Sequence, residues 1–206
     1  KDVGGWKSEN GLASYMFRAN YNYDSKYYIG ASIRYDGLSK LPKDTRWGTF
    51  WGASAAWRLS REKFWTEAPV NEWFNDLRLR ASYATIGNSA LGSDYPYLGT
   101  YGAKLVGPMA GIAWNVMGNN NLKWETTETF DIGLDGALFN NRMTFEIAYW
   151  QKNSKDLVLR VPTPPTMGIP NHYYYDNIGK IKNSGFELTV GGTIINTKDW
   201  NWHSDI

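Results

Sequence analysis

Apolar and polar side chains alternate with period two along seven segments of the chain, the spacing at which an extended strand sends neighbouring side chains to opposite faces. Residues 13–23 put Ala13, Tyr15, Phe17, Ala19 and Tyr21 on one face and Ser14, Met16, Arg18, Asn20 and Asn22 on the other. Residues 27–36 set Ile29, Ala31, Ile33 and Tyr35 against Gly30, Ser32, Arg34 and Asp36, and residues 47–59 set Trp47, Trp51, Ala53, Ala55, Trp57 and Leu59 against Gly48, Gly52, Ser54 and Arg58. Residues 77–87, 126–139, 142–159 and 185–194 continue the pattern. In the clearest stretch of each segment, charge is confined to the second face: Arg18, Arg34, Asp36, Arg58, Arg78, Arg80, Asp131, Asp135, Glu146 and Glu187. A two-residue loop at Asn140-Asn141, whose amides tolerate positive φ, pairs Leu138 with Met143 and Asp135 with Glu146. Apolar then meets apolar and polar meets polar, so the parity survives the turn.

The connections alternate in length. Residues 23–26, 140–141 and 196–199 are short turns, whereas 37–46, 88–122 and 160–176 are long. An up-and-down antiparallel sheet therefore gathers the short turns at one end and the long loops at the other. Residues 60–76 break the rule, being long on the short-turn side, and their 61–67 stretch predicts a helical turn before Pro69. The Pro-rich stretch 161–170 reads as loop.

Composition narrows the choice of architecture. The 206 residues carry 22 Lys+Arg against 20 Asp+Glu, a net charge of +2 that argues against a nucleic-acid partner. No stretch approaches the ~20 apolar residues of a spanning helix. The absence of Cys removes disulfide scaffolds, thiolate metal sites and thiol catalysis. Yet aromatics make up 16% of a chain rich in charged and amide residues, as two faces of opposite polarity produce. The chain opens at Lys1-Asp2-Val3 without a Met or a signal-like segment and ends within what reads as a strand just begun, so it is expected to be part of a longer protein.

Alternation alone fits a soluble sandwich, apolar inside, as well as a membrane barrel, apolar outside. Three features favour the membrane. The strands have the length of a tilted crossing, residues 47–57 form one uncharged run of that size, and Tyr21, Tyr27, Tyr35, Trp47, Trp57 and Tyr149 stand near the ends of apolar faces, where interfacial girdles place aromatics. The alternative is a soluble or surface-exposed carbohydrate-binding β-domain without transport activity.

Several local runs resemble the barrel of SusC/RagA-family TonB-dependent transporters. They are Tyr21-Asn22-Tyr23-Asp24-Ser25-Lys26-Tyr27-Tyr28, Arg34-Tyr35-Asp36-Gly37, Arg46-Trp47-Gly48-Thr49-Phe50 and Trp57-Arg58-Leu59-Ser60. Leu77-Arg78-Leu79-Arg80-Ala81-Ser82-Tyr83, Asn121-Leu122-Lys123-Trp124-Glu125-Thr126-Thr127, Phe139-Asn140-Asn141-Arg142 and Asn177-Ile178-Gly179-Lys180 follow in the family's order. Trp51, Ala84, Asn120 and the 38–42 loop depart from the usual pattern. The resemblance implies an all-β fold: residues 1–206 would be seven to eight strands of an antiparallel, 22-stranded transmembrane β-barrel in the outer membrane of a Gram-negative bacterium. It further implies a plug domain and signal peptide elsewhere, energy from the TonB-ExbB-ExbD system, a SusD-like surface lipoprotein over the long loops, and import of glycans or peptides.

Candidate chemistry is sparse. Asp131, Asp135 and Glu146 share a face, and two of them could make an acid–base pair; the plainer reading is a lumen wall on which Arg78 and Arg80 are their counter-charges. Arg80 is expected to contact Asp135 or Glu146. His172 and His203 stand apart from thiolates or clustered carboxylates, so neither a metal nor a cofactor is expected. Gly185, Gly191 and Gly192 lack phosphate-loop spacing and fit barrel curvature. The candidates for ligand or lid contact are the aromatics of the long loops, Tyr95, Tyr97, Tyr101, Trp114, Tyr173, Tyr174 and Tyr175, whose rings can stack on sugars or peptide side chains or else pack the loops together.

Overall fold

The computed structural model describes residues 9–169 and 171–206. The start of the chain at residues 1–8, and Pro170 at the end of the Pro-rich stretch, lie outside the described residues. Ten strands follow one another: β1 (Leu12–Tyr23), β2 (Tyr27–Leu38), β3 (Trp47–Arg58), β4 (Phe74–Asn88), β5 (Thr100–Val106), β6 (Met109–Val116), β7 (Glu125–Leu138), β8 (Met143–Pro162), β9 (Tyr173–Asn196) and β10 (Asn201–Asp205). Eight of them form a single antiparallel sheet in the order β1-β2-β3-β4-β7-β8-β9-β10, while β5 and β6 pair only with each other. The helical turn expected after β3 is α1 (Lys63–Thr66).

Backbone geometry explains the tight turns. Asp24 and Ser25 adopt φ of 52° and 53° under a Lys26 N–H to Tyr23 C=O bond of 3.0 Å, and Asn140 and Asn141 adopt 57° and 62° under an Arg142 N–H to Phe139 C=O bond of 3.2 Å, with Phe139 itself entering the turn at 55°. Two successive residues in the left-handed region give a turn whose twist matches that of the strands, and short polar side chains tolerate it best. The register is the one expected, with Leu138 opposite Met143 and Asp135 opposite Glu146.

Three expectations need correction. The loop read at 160–176 is shorter, because β8 continues to Pro162 and β9 begins at Tyr173, so Tyr173, Tyr174 and Tyr175 are strand residues. The strand read at 185–194 is the lower half of that longer β9. The loop read at 88–122 is not bare, since Tyr101 lies in β5 and Trp114 in β6, joined at Gly107-Pro108 with Gly107 at φ 62°. In all three places both faces of the strand meet polar surroundings or another loop, and the period-two pattern that marks the rest is absent.

The apolar face is lined by two rows of rings. Toward the short turns, Tyr27 lies between Tyr23 and Trp57, with centroids 6.4 and 6.3 Å away. Toward the long loops, Tyr35 stacks on Trp47 at 4.8 Å, Trp51 leans on Tyr83 at 5.3 Å and Tyr149 on Phe186 at 4.9 Å. Eight residues separate Tyr27 from Tyr35, roughly 27 Å along a strand and about 20 Å in depth at a barrel's tilt. Between the rows Ile33 and Ile147 are 48% and 46% exposed, and Leu134 is half-buried. Among the described residues no second layer covers this face, as a sandwich requires.

Apolar burial is concentrated elsewhere. Leu38, Leu41, Phe50, Leu91, Leu122 and Trp124 form a small core at the long-loop end, with Tyr97, Val158 and Tyr175 packed against it. It ties the long loops to the sheet.

Candidate functional site

Two places on the wall bring together the chemistry read from the sequence. The first lies on the polar face toward the short turns. Arg58 stands directly opposite Arg78, and Arg78 opposite Asp135, which in turn faces Glu146. Such like-charge neighbours require compensation. Arg80 supplies it: its Nε donates to Asp135 Oδ1 at 3.2 Å, its Nη1 to Asp131 Oδ1 at 2.6 Å and its Nη2 to Glu146 Oε1. Arg78 donates through Nε and Nη2 to Asp135 Oδ2 at 3.0 and 2.6 Å. Arg58 forks onto both oxygens of Asp76 at 2.7 Å each, and Ser60 adds a 2.6 Å hydrogen bond. The expected contact of Arg80 with Asp135 and Glu146 is thus present, and Asp131 joins it.

Gly133 makes the arrangement possible. It lies opposite Arg80, and a Cβ there would stand 2.8 Å from the guanidinium carbon, so only a glycine lets the guanidinium lie flat across the strand. A hollow of about 410 Å³ opens over the cluster, lined by Asp76, Arg78, Arg80, Asp135, Glu146 and Thr189 among others. An acid–base pair needs one carboxyl free to take and give protons. Each of these three acids instead accepts from a guanidinium.

The second place is the long-loop end. Here the run from Asn119 to Glu125 acts as a buckle between elements that are distant in sequence. The Asn119 amide donates to Tyr175 C=O at 3.0 Å and to Asp176 at 3.1 Å, and its side-chain oxygen caps the Asn121 N–H at 2.9 Å. Asn177 accepts from the Lys123 N–H at 2.9 Å and donates back to the Lys123 C=O at 3.0 Å. The Trp124 indole N–H reaches Arg46 C=O at 2.8 Å. The buried Glu125 carboxylate accepts from the Asn88 amide at 2.6 Å and the Val158 N–H at 2.7 Å. Lys123, Trp124 and Glu125 are read from the sequence only as part of the Asn121 to Thr127 resemblance, Asn177 only as part of the Asn177 to Lys180 run, and Asn119 not at all; the amide-rich run itself is the local signal that a loop is being pinned by side-chain hydrogen bonds.

Above the buckle a groove of about 590 Å³ is lined by Tyr97, Tyr101 and Trp114 together with Leu98, Met117, Met167 and Ile169. The Tyr101 and Trp114 rings meet at 4.1 Å across the β5–β6 hairpin. Three of the seven candidate aromatics therefore share one site. The others do not: Tyr95 donates its hydroxyl to Glu9 C=O at 2.7 Å, and Tyr173 and Tyr175 clamp the Arg160 guanidinium, 4.7 and 5.9 Å from their centroids. Tyr174 bridges to Met117 through the backbone. The thioethers and aliphatics of the groove carry no periodic signal and are brought together only by the loop fold.

Comparison with known proteins extends over nearly the whole chain. The profile of the family described as "TonB dependent receptor-like, beta-barrel" matches residues 5–205. TonB-dependent receptor SusC of Bacteroides thetaiotaomicron is 32% identical over 204 residues, 96% of this chain and 20% of SusC. TonB-dependent receptor P26 of Formosa agariphila is 34% identical over 201 residues, 95% of this chain and 20% of the receptor. Among solved structures, the RagAB peptide importer in its open-open state superposes with a TM-score of 0.83 at 31% identity, covering 95% of this chain and 21% of that one. The siderophore receptor PirA of Pseudomonas aeruginosa, at 15% identity, covering 95% of this chain and 33% of that one, and with a TM-score of 0.58, shares the fold alone. The chain spans about a fifth of the length of the relatives SusC and P26.

Proposed function

Because this chain belongs to the TonB-dependent receptor-like β-barrel family, we propose that it is part of the barrel wall of a SusC/RagA-type importer of glycans or peptides in the outer membrane of a Gram-negative bacterium. The apolar face meets lipid, the polar face lines the lumen, the short turns face the periplasm and the long loops face outward. A plug domain and signal peptide elsewhere in the protein, the TonB-ExbB-ExbD system and a SusD-like lipoprotein over the loops complete the machine.

The observation that carries this reading is the two-faced wall itself. Ring-bordered apolar side chains stand exposed on one side, and paired guanidinium and carboxylate groups stand on the other. Lipid outside and water inside satisfy both. No reaction is assigned to the wall, since the three clustered acids Asp131, Asp135 and Glu146 are held in ion pairs. Substrate meets the aromatic groove of the long-loop end, where flat rings stack on sugar faces or peptide side chains.

Uptake by the full-length protein tests this. Replacing Tyr97, Tyr101 and Trp114 together with Ala is expected to cut energised uptake of the oligosaccharide or peptide mixture by about tenfold or more at normal surface abundance, each lost stacking contact being worth about 0.5–1.5 kcal/mol. Replacing Tyr173, which serves Arg160, leaves uptake near the parent level. Unchanged uptake in the triple variant would move recognition to the lumen or to the plug.

A further inference from the structure

The outward face of the wall carries charge in one place only among the described residues of the spanning strands: Glu128, Lys155, Lys180 and Lys182, on β7, β8 and β9 beyond the upper ring row. The approach to it is graded. On β8 and β9 the outward cross-strand pairs run from Tyr149 opposite Phe186, to Gln151 opposite Ser184, to Asn153 opposite Lys182. Lys155 and Lys180 come next along the two strands, where the ladder is interrupted at Ser154 to Leu157. Each step is two residues, about 6.6 Å along the strand and about 5 Å in depth. Ring, amide and hydroxyl, then ammonium is the order in which a bilayer presents acyl chains, linkage groups and phosphates.

The lysines differ in what holds them. Lys155 Nζ lies 2.7 Å from Glu128 Oε1, which fixes it on the outward face. Lys180 and Lys182 are exposed and have no acidic partner among the described residues. Their four-carbon stems let the ammonium groups reach back toward the ring row, as lysines do at interfaces. Asp156, next along β8, is already paired with Lys123 Nζ at 3.1 Å, so the patch sets Lys155, Lys180 and Lys182 against the Glu128 carboxylate and a second carboxylate shared with Lys123, next to a face already assigned to lipid.

On the membrane reading given above, we propose that Lys155, Lys180 and Lys182 bind the phosphate groups of a phosphorylated lipid in the outer leaflet, anchoring it against the β8–β9 hairpin. Tyr149 and Phe186 pack on its acyl chains, and Gln151, Asn153 and Ser184 face its linkage region. The contact is a direct ammonium–phosphate pair, strong where the headgroup excludes water and weakened by salt.

The test uses the full-length protein in phosphatidylcholine nanodiscs doped with a bisphosphorylated glycolipid or its dephosphorylated form, with bound lipid counted by native mass spectrometry after detergent release. The parent is expected to retain the phosphorylated form. A Lys155→Gln/Lys180→Gln/Lys182→Gln variant is expected to lose about tenfold or more, a lysine near an anionic surface being worth about fivefold. The corresponding triple Arg variant restores retention, which rules out misfolding, and Lys63→Gln/Lys198→Gln at the opposite end changes nothing. Equal retention of both lipid forms, equal retention by the triple Gln variant, or displacement by millimolar inorganic phosphate would overturn the proposal. Failure of the parent to float with the nanodiscs would overturn the membrane reading instead.

Discussion

Arg80 reaches three carboxylates because the residue opposite it has no side chain. Gly133→Val places methyl groups where the guanidinium lies, and the flexible end of Arg80 moves before the backbone does. The expected cost is that of loosened, part-exposed ion pairs, about 1 kcal/mol. Arg80→Met goes further, because it removes the only guanidinium that touches Asp131 and Glu146 among the described residues. The expected loss is about 2–3 kcal/mol, below the value for fully buried pairs. Thermal unfolding of the full-length barrel, read by its heat-dependent gel mobility, should rank parent above Gly133→Val above Arg80→Met; the reverse order would show that Arg80 is not the centre of the cluster. A second residue-scale device lies outside the spanning strands. Glu62 accepts from the Tyr27 hydroxyl at 2.6 Å and the Trp57 indole at 3.2 Å, with Lys26 at 3.7 Å. The Tyr27 hydrogen bond, then that of Trp57, holds the Glu62 carboxyl below the usual carboxylate range. A lowered folded-state value contributes stability above the unfolded pKa and loses it as pH falls through the folded one. The loop carrying α1 is thus clasped at neutral pH and released in acid, as pH falls through that lowered value. Amide exchange in residues 59–73 should accelerate in acid beyond its intrinsic change in the parent, and show no such step in Glu62→Gln.

At the scale of elements, the β7–β8 hairpin turns on three consecutive left-handed residues, Phe139, Asn140 and Asn141. Asn140→Val and Asn141→Val should each destabilise it by about 1–2 kcal/mol, the cost of that conformation for a side chain without local hydrogen bonding, while Asn141→Gly should be neutral or better. The yield of heat-resistant barrel on refolding measures this. The buckle makes a contrasting prediction. Trp124→Ala empties the centre of the loop-end core at a local cost of about 3–5 kcal/mol, so protease should cut the 38–46 and 89–122 loops while the sheet between the ring rows stays protected. These two elements also show where the sequence is readable. The hairpin is legible because lipid on one side and water on the other impose strict alternation on residues such as Leu134, Asp135, Glu146 and Ile147, and Asn-Asn marks the turn. Past the upper ring row that contrast ends. Tyr173 to Asn183 pair as strand without alternating, and the groove of Leu98, Met117, Met167 and Ile169 forms from loops whose meeting no local pattern encodes. The Arg80 cluster lies between the extremes: its members share a face by parity, while the reach of one guanidinium to all three acids depends on Gly133.

At the scale of the whole molecule, the wall buries few apolar side chains and exposes many, among them Phe17, Ile29, Ile33, Trp51, Ile147, Phe186 and Leu188. A water-soluble sheet of this composition would lose the burial that stabilises folding; a bilayer supplies it from outside. The account therefore stands or falls on which solvent each face meets. The chain has no Cys, so single cysteines introduced on the background of a cysteine-free full-length protein report one position each. Spin labels at Ile33, Ala55 and Ile147 should collide with oxygen dissolved in the bilayer and be shielded from a water-soluble nickel chelate, whereas labels at Ser54 and Thr189 should show the opposite. Oxygen-rich, chelate-poor signals at Ala55 and Ile147 with the reverse at the adjacent Ser54 of β3 and at Thr189 of β9 would establish lipid outside and water within; chelate access to Ile33 and Ile147, or equal access to both faces, would contradict it.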